Sequence, residues 1–210
     1  MTSRPFAEIQ HSIRGCRRCV EQSLIPDAHP ILFGTPSARV MILGQAPGPT
    51  ASERPLPYSG ASGRTLQNWL ARAGFDEGAL HNPDRFYLTS ITKCFPGRST
   101  SGKGDRAPSR KEIALCSTHL DTELRWVQPE LILSLGRLSI GTMISSARNQ
   151  PLAKIIGRAY PAEYDAAGGA MVLPLPHPSG VSRWHNDQDN QARLGEALDW
   201  LASERQVRDW

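Results

Sequence analysis

A chain of 210 residues, 39% hydrophobic and 21% charged, has the composition of a globular domain long enough to bury a substantial core. No apolar run approaches the ~18 residues of a membrane-spanning helix, and Arg14, Arg17 and Arg18 interrupt any signal-peptide core at the N-terminus. A net charge of +4 and a pI near 9.1 suit a polyanionic partner without naming one. We therefore expect one intracellular, cytoplasmic domain over residues 1–210, with no membrane partner.

In chain order, residues 1–15 read as a short amphipathic segment that leads into Cys16-Arg-Arg-Cys19. Residues 26–38, rich in Pro, Gly and polar groups, read as a loop. Val40 to Leu43 is a continuous apolar run that breaks at once into Gly44, Pro47, Gly48 and Pro49. That pattern predicts a strand over 39–44, buried on both faces and followed by a ligand-ready turn. Gly44 and Gly48 let a ligand approach the backbone, and Pro47 stiffens the loop. The loop runs on through Glu53 and Tyr58 to Ser59-Gly-Ala-Ser-Gly63. Leu66, Trp69, Leu70 and Ala73 share a helix face, and Gly74 stops that helix.

Phe86 to Ile91 reads as a second strand. Lys93, Arg98, Lys103, Arg106, Arg110 and Lys111 then cluster against Asp105 alone. This stretch reads as a flexible basic loop, either solvated or aimed at a phosphate backbone. Ser109-Arg-Lys-Glu112 is a capping-box start for a helix whose apolar face holds Ile113, Cys116, Leu120, Leu124 and Val127. Leu131 to Leu135 is a third strand, closed by Gly136 and followed by a helix through Ile144. Residues 147–169 read as irregular. Met171 to Leu175 is a fourth strand, running into Pro176-His-Pro-Ser-Gly180, and a last helix carries Leu194, Ala197, Leu198 and Leu201.

Strands alternating with helices imply an α/β fold, a three-layer α/β/α sandwich with a central, mostly parallel four-stranded sheet. Parallel strands end on one side, so the loops 44–60, 90–107 and 176–185 should build one site. His177, held between prolines at a strand end, can donate to a developing oxyanion, and Ser179 can contact phosphate. Val181 is an apolar tip of the kind that wedges into a base stack, with Arg183 beside it. Cys16, Cys19, Cys94 and Cys116 are the only cysteines; four thiols suit tetrahedral zinc or a cubane iron–sulfur cluster, and buried cysteines without a ligand have the same look. A serine hydrolase built on Ser179 and His177 is disfavoured, because no G-x-S-x-G elbow precedes a helix.

Taken together, four blocks resemble the uracil-DNA glycosylase superfamily, in its iron–sulfur branch of family-4 and family-5 enzymes. They are Phe33-Gly34 with Val40-Met-Ile-Leu-Gly-Gln-Ala-Pro-Gly48; Leu56-Pro-Tyr-Ser-Gly-Ala-Ser-Gly-Arg-Thr-Leu66; Phe86-Tyr-Leu-Thr-Ser-Ile-Thr-Lys-Cys94; and His177-Pro-Ser179. The resemblance implies a monomeric enzyme that flips uracil out of DNA and hydrolyses its glycosidic bond, the first step of base excision repair in the nucleoid. It implies that Tyr58 stacks on the base and that Ser90 reads its edge. Gly44, Ala46, Pro47 and Gly48 would border it, and His177 would stabilise charge on the uracil O2. It further implies DNA contacts by Ser179, Val181 and Arg183, and a [4Fe–4S] cluster on Cys16, Cys19, Cys94 and Cys116. Zinc is the alternative occupant.

The departures are specific. Gln45 stands where family 4 has Glu, and Ala46 where the classical family has Asp, so neither water-activating acid is present. Gln45 can orient a water through its amide or backbone, and Glu53, the nearest acid along the loop, is the candidate to activate that water. Ser90 replaces an Asn and offers one rotating hydroxyl in place of an amide's donor and acceptor, which opens the substrate range to hypoxanthine or xanthine. The long stretch between Cys94 and Cys116 resembles the insertion of a covalently trapping relative, but residues 95–109 contain no His and no covalent capture is expected. The alternatives are a catalytically weak binder of damaged or abasic DNA with the same fold, or a metal protein with no nucleic-acid role.

Overall fold

The computed structural model describes residues 6–51, 53–100, 104–179 and 183–210. Val181 therefore lies outside the described residues. In chain order the elements are α1 (Phe6–Arg14), α2 (Arg18–Glu21), β1 (Val40–Gly44), α3 (Ala61–Arg72), β2 (Phe86–Ser90) and α4 (Arg110–Val127). They continue with β3 (Leu131–Leu135), α5 (Gly136–Met143), α6 (Leu152–Ile155), β4 (Tyr160–Pro161), β5 (Met171–Leu175) and α7 (Gln188–Arg208).

The sheet order is β2-β1-β3-β5-β4. The first four strands are parallel, with Gly44 level with Ser90, and Leu43 level with Thr89 on β2 and Ser134 on β3. Alternation along these strands splits the core in two. Val40, Ile42, Phe86, Leu88, Leu131 and Leu133 pack with Leu66 and Leu70 of α3 and Leu198 and Leu201 of α7. Met41, Leu43, Tyr87, Ile132 and Val172 pack on the other side with Ile13 of α1, Leu120 and Leu124 of α4 and Ile140 of α5. Helices therefore cover both faces, as strands apolar on both sides require.

The expected four strands are present, and the sheet has a fifth. β4 lies in the stretch expected to be irregular and pairs antiparallel with β5 over Tyr160↔Val172 and Pro161↔Met171. Two residues carry no periodicity, so pattern reading has nothing to find there. This short edge also explains Pro174 inside β5. Met171 donates its N–H to Glu130 on the β3 side. By alternation the nitrogen of Pro174 faces the β4 side, beyond the end of β4, where no ladder bond is lost.

The basic stretch is ordered more than its composition suggests. Arg98 and Asp105 form an antiparallel bridge, Ser99 N–H donates to the Gly104 carbonyl (3.0 Å) and Arg106 N–H to that of Gly97 (3.0 Å). Gly97 and Gly104 in this pairing have positive φ (113° and 82°), backbone that glycine adopts freely. Arg106 then clamps Glu112 through two contacts of 2.7 Å, inside the capping box Ser109 makes with Glu112. Arg98 pairs with Asp105 at 3.2 Å, and Lys93 is 1% exposed. Lys93 and Arg106 are thus held by internal partners, while Arg98, whose side chain stays 64% exposed in its pair, joins Arg110 and Lys111 as the exposed described cations of the cluster.

Candidate active site

β1 and β2 end level with each other, and their loops are stitched together at once. Ile91 N–H donates to the Gly44 carbonyl (2.9 Å) and Thr92 N–H to the Gln45 carbonyl (3.1 Å). Gln45, Ala46 and Pro47 are half-buried at this edge, and Gly48 is exposed with open space around it. The edge therefore combines a fixed backbone with accessible side chains.

Tyr58 crosses this edge in a strained conformation. Its φ is +56°, a region bulky residues avoid unless their surroundings impose it. Two glycines and a histidine do so here. A Cβ on Gly63 would lie 1.6 Å from the Tyr58 carbonyl oxygen, and one on Gly44 2.6 Å from its hydroxyl. Nε2 of His81 lies 2.9 Å from the Pro57 carbonyl and fixes the preceding residue. The ring thus reaches from the first turn of α3 to the end of β1. Burial raises the pKa of its hydroxyl, so the ring stays neutral. A neutral, half-buried aromatic pinned beside the strand ends is a stacking surface for a planar ligand. Replacing Tyr58 by Ala should weaken binding of a flipped base by about 1–3 kcal/mol, read as a raised Kd for a non-cleavable strand; an unchanged Kd removes Tyr58 from the site.

His177 enters from β5. Gly136, at φ +81° at the start of α5, leaves the space in which His177 sits: a Cβ there would be 3.3 Å from that of His177. Ser179 N–H donates to His177 Nδ1 at 3.2 Å, and His185 Nε2 lies 3.1 Å from the His177 carbonyl. With Nδ1 accepting, the neutral ring carries its proton on Nε2. Burial lowers the His177 pKa first of all; the Asp105 carboxylate raises it and His185 lowers it further. The neutral Nε2–H form is therefore the resting state, ready to donate to an oxyanion.

Ser90 is 6% exposed, and its hydroxyl donates to the Thr92 carbonyl at 2.8 Å, so only its lone pairs are left to meet a ligand. Glu53 is exposed, and its carboxylate makes no hydrogen bond or ion pair among the described residues. The structure does not bring it to His177. Ser179 is half-buried beside His177, and Arg183 opens a short 3-10 helix, Arg183–Asn186.

The cysteines gather from four places in the chain: Cys16 after α1, Cys19 in α2, Cys94 past β2 and Cys116 in α4. Burial raises the Cys19 pKa to about 11 and that of Cys94 to about 12, and each feels Cys116 and Cys16 electrostatically. Cys116 is raised by burial too, against a backbone hydrogen bond from Lys93. Thiols this costly to ionise, yet close enough to repel one another as thiolates, form a donor set that a cationic metal group would relieve. Among the described residues, no three His, Cys, Asp or Glu side chains are drawn tightly enough to hold one metal ion.

Several neighbours escaped sequence reading: Gly136 behind His177, His81 behind Pro57, Asp105 near His177, and a buried pair, Lys93 with Glu123. Only the last left a trace, an acid on the apolar face of α4.

The family model of the Uracil DNA glycosylase superfamily matches residues 31–202. A Type-4 uracil-DNA glycosylase of Sulfurisphaera tokodaii is 27% identical over 177 residues, covering 83% of this chain and 74% of that protein. One from Pyrobaculum aerophilum is 27% identical, over 84% of each chain. A Type-5 uracil-DNA glycosylase of Thermus thermophilus is 27% identical over 70% of this chain and 67% of its own.

Proposed function

Since the chain belongs to the uracil-DNA glycosylase superfamily, we propose that it excises uracil from DNA by hydrolysis of the N-glycosidic bond. The observation that carries this reading is the convergence at one sheet edge of a pinned aromatic, Tyr58, and an Nε2–H histidine, His177. Base flipping costs a few kcal/mol, which stacking on Tyr58 offsets. The C1′–N1 bond breaks with its electron pair moving onto uracil, and His177 Nε2–H stabilises the charge at O2. A water oxygen bonds to C1′, and the proton it loses passes to the departing uracil anion, leaving neutral uracil and an abasic sugar. Gln45 orients that water through its amide or carbonyl, while Ser90 accepts from the base edge. Ser179 and Arg183 would grip the flanking phosphates, and Val181, outside the described residues, would fill the vacated stack. The enzyme acts as a monomer at the chromosome; among the described residues no helix is long and apolar enough to cross a membrane.

Cys16, Cys19, Cys94 and Cys116 would hold a [4Fe–4S] cluster, which supplies a crosslink between α1, α2, β2 and α4 and no chemistry at the base. Four thiolate donors suit such a cluster, with zinc the alternative occupant of the same set.

Two readouts test the proposal. Wild type should nick uracil-containing strands after alkali, hypoxanthine strands more slowly and thymine strands not at all. A protein that shifts the uracil strand on a gel and leaves it intact is the lesion binder instead, the reading favoured by the missing acids at Gln45 and Ala46. Glu53→Gln should leave the rate within about twofold, given the exposure of that side chain; a loss near ~10²-fold would make Glu53 the base.

A further inference from the structure

We propose that the buried Lys93–Glu123 pair is a positioning device for base recognition, fixing the end of β2 from the helix that carries Cys116. The inference rests on the glycosylase reading and deepens it.

The pair is unusual in its burial: the side chains are 1% and 0% exposed, with Nζ 2.5 Å from the carboxylate. Stability alone seldom explains such a pair, since well-packed apolar residues in its place are often as stable or more so. What the charges provide is directed bonds. An ammonium has three protons, and each is used: on Glu123, on Thr89 Oγ1 at 2.8 Å, and on the Ser90 carbonyl at 2.5 Å. Glu123 also accepts from Tyr87 at 3.0 Å and from Thr89 at 2.9 Å. Tyr87 and Thr89 share one face of β2, so α4 grips that strand twice through a single carboxylate.

The grip reaches the site in three bonds. Lys93 holds the Ser90 carbonyl, and Ser90 Oγ donates to the Thr92 carbonyl at 2.8 Å. Thr92 N–H in turn holds the Gln45 carbonyl at 3.1 Å. The reader of the base edge and the orienter of the water are therefore set from one buried ammonium. On the other side, Lys93 N–H bonds Cys116, and Cys94 is the next residue. Glu123 follows Cys116 by two helical turns on the same face of α4. The cysteine group and the base pocket thus share one strut. Lys93 had looked like part of a phosphate-facing cluster; its burial removes it from that role.

The test is the double variant Lys93→Met with Glu123→Leu, which deletes both charges, keeps the volume filled and leaves no orphan ion. It is compared with wild type for iron per chain, melting temperature, kcat and KM on a uracil strand, and the rate ratio of uracil to hypoxanthine. A pair that only stabilises would move melting alone. The positioning role predicts a folded, iron-loaded protein whose kcat falls by about tenfold to a hundredfold, the scale of a ~1 Å misplacement, with a narrowed uracil preference. Unchanged kcat, KM and ratio overturn it. If the double variant does not fold, Thr89→Val removes one Nζ acceptor and keeps the charges paired. A several-fold kcat loss then supports the role, and an unchanged kcat overturns it. Wild type without turnover would sink the glycosylase reading itself, a result distinct from either.

Discussion

Replacing His177 by alanine should lower the single-turnover rate of uracil release by roughly 10²- to 10³-fold, the size of losing one oxyanion donor. Strand binding should change little, because the contact matures only as charge develops on the base. On the proposed reading, His177 donates in a particular state. Its Nδ1 is occupied by the Ser179 N–H at 3.2 Å, which leaves the proton on Nε2. Burial holds its pKa below the usual 6.5, against the pull of Asp105, so the ring is neutral at physiological pH. Any acid limb that reports His177 should therefore lie below that value in the wild-type profile. Near-normal single-turnover rates in His177→Ala would remove this histidine from the mechanism.

Gly63→Ala should be the second large effect, and its sign runs against helix propensity. Gly63 lies in the first turn of α3, where alanine in place of glycine ordinarily gains about 1 kcal/mol. Here the added Cβ would stand 1.6 Å from the Tyr58 carbonyl oxygen and 2.6 Å from its carbonyl carbon. Both are backbone atoms, so no rotamer change relieves the overlap. Either α3 or the strained Tyr58 must move by more than an ångström. We expect a loss of about 1–3 kcal/mol of stability, the usual cost of overpacking. The rate should fall about 10²-fold as the base platform shifts. A melting curve and a single-turnover assay on the same sample check both, and a more stable, fully active variant would contradict the account of Tyr58.

How much of this was legible in the sequence depended on whether a feature was local. The four main strands were read to within a residue or so, because each is a short apolar run ended by a turn residue. The α4 start was read because Ser109 and Glu112 form their capping box three residues apart. The cysteine set and the Gly44 to Tyr58 stretch were visible from residue type and order. What stayed hidden depends on contacts distant in sequence. The paired segments 97–99 and 104–106 read as flexible, since their polar composition conceals the backbone hydrogen bonds between them. Gly136 looked like an ordinary strand terminator, and only the fold puts it against His177. Lys93 looked like a surface charge because its partner lies a whole helix away at Glu123. Glu53 attracted attention as the nearest acid in sequence, yet its loop holds it out in solvent.

The central claim is that this edge hydrolyses a glycosidic bond despite lacking an acid at Gln45 and Ala46. The most direct measurement is mass-spectrometric detection of free uracil released from a uracil-containing strand, with wild-type protein in excess and His177→Ala alongside. The account predicts one uracil freed per strand by wild type, an abasic strand that breaks only on alkali, and a rate at least ~10²-fold lower for the variant. Uracil that stays in the strand while wild type binds it would contradict the account and leave a lesion-binding member of the superfamily.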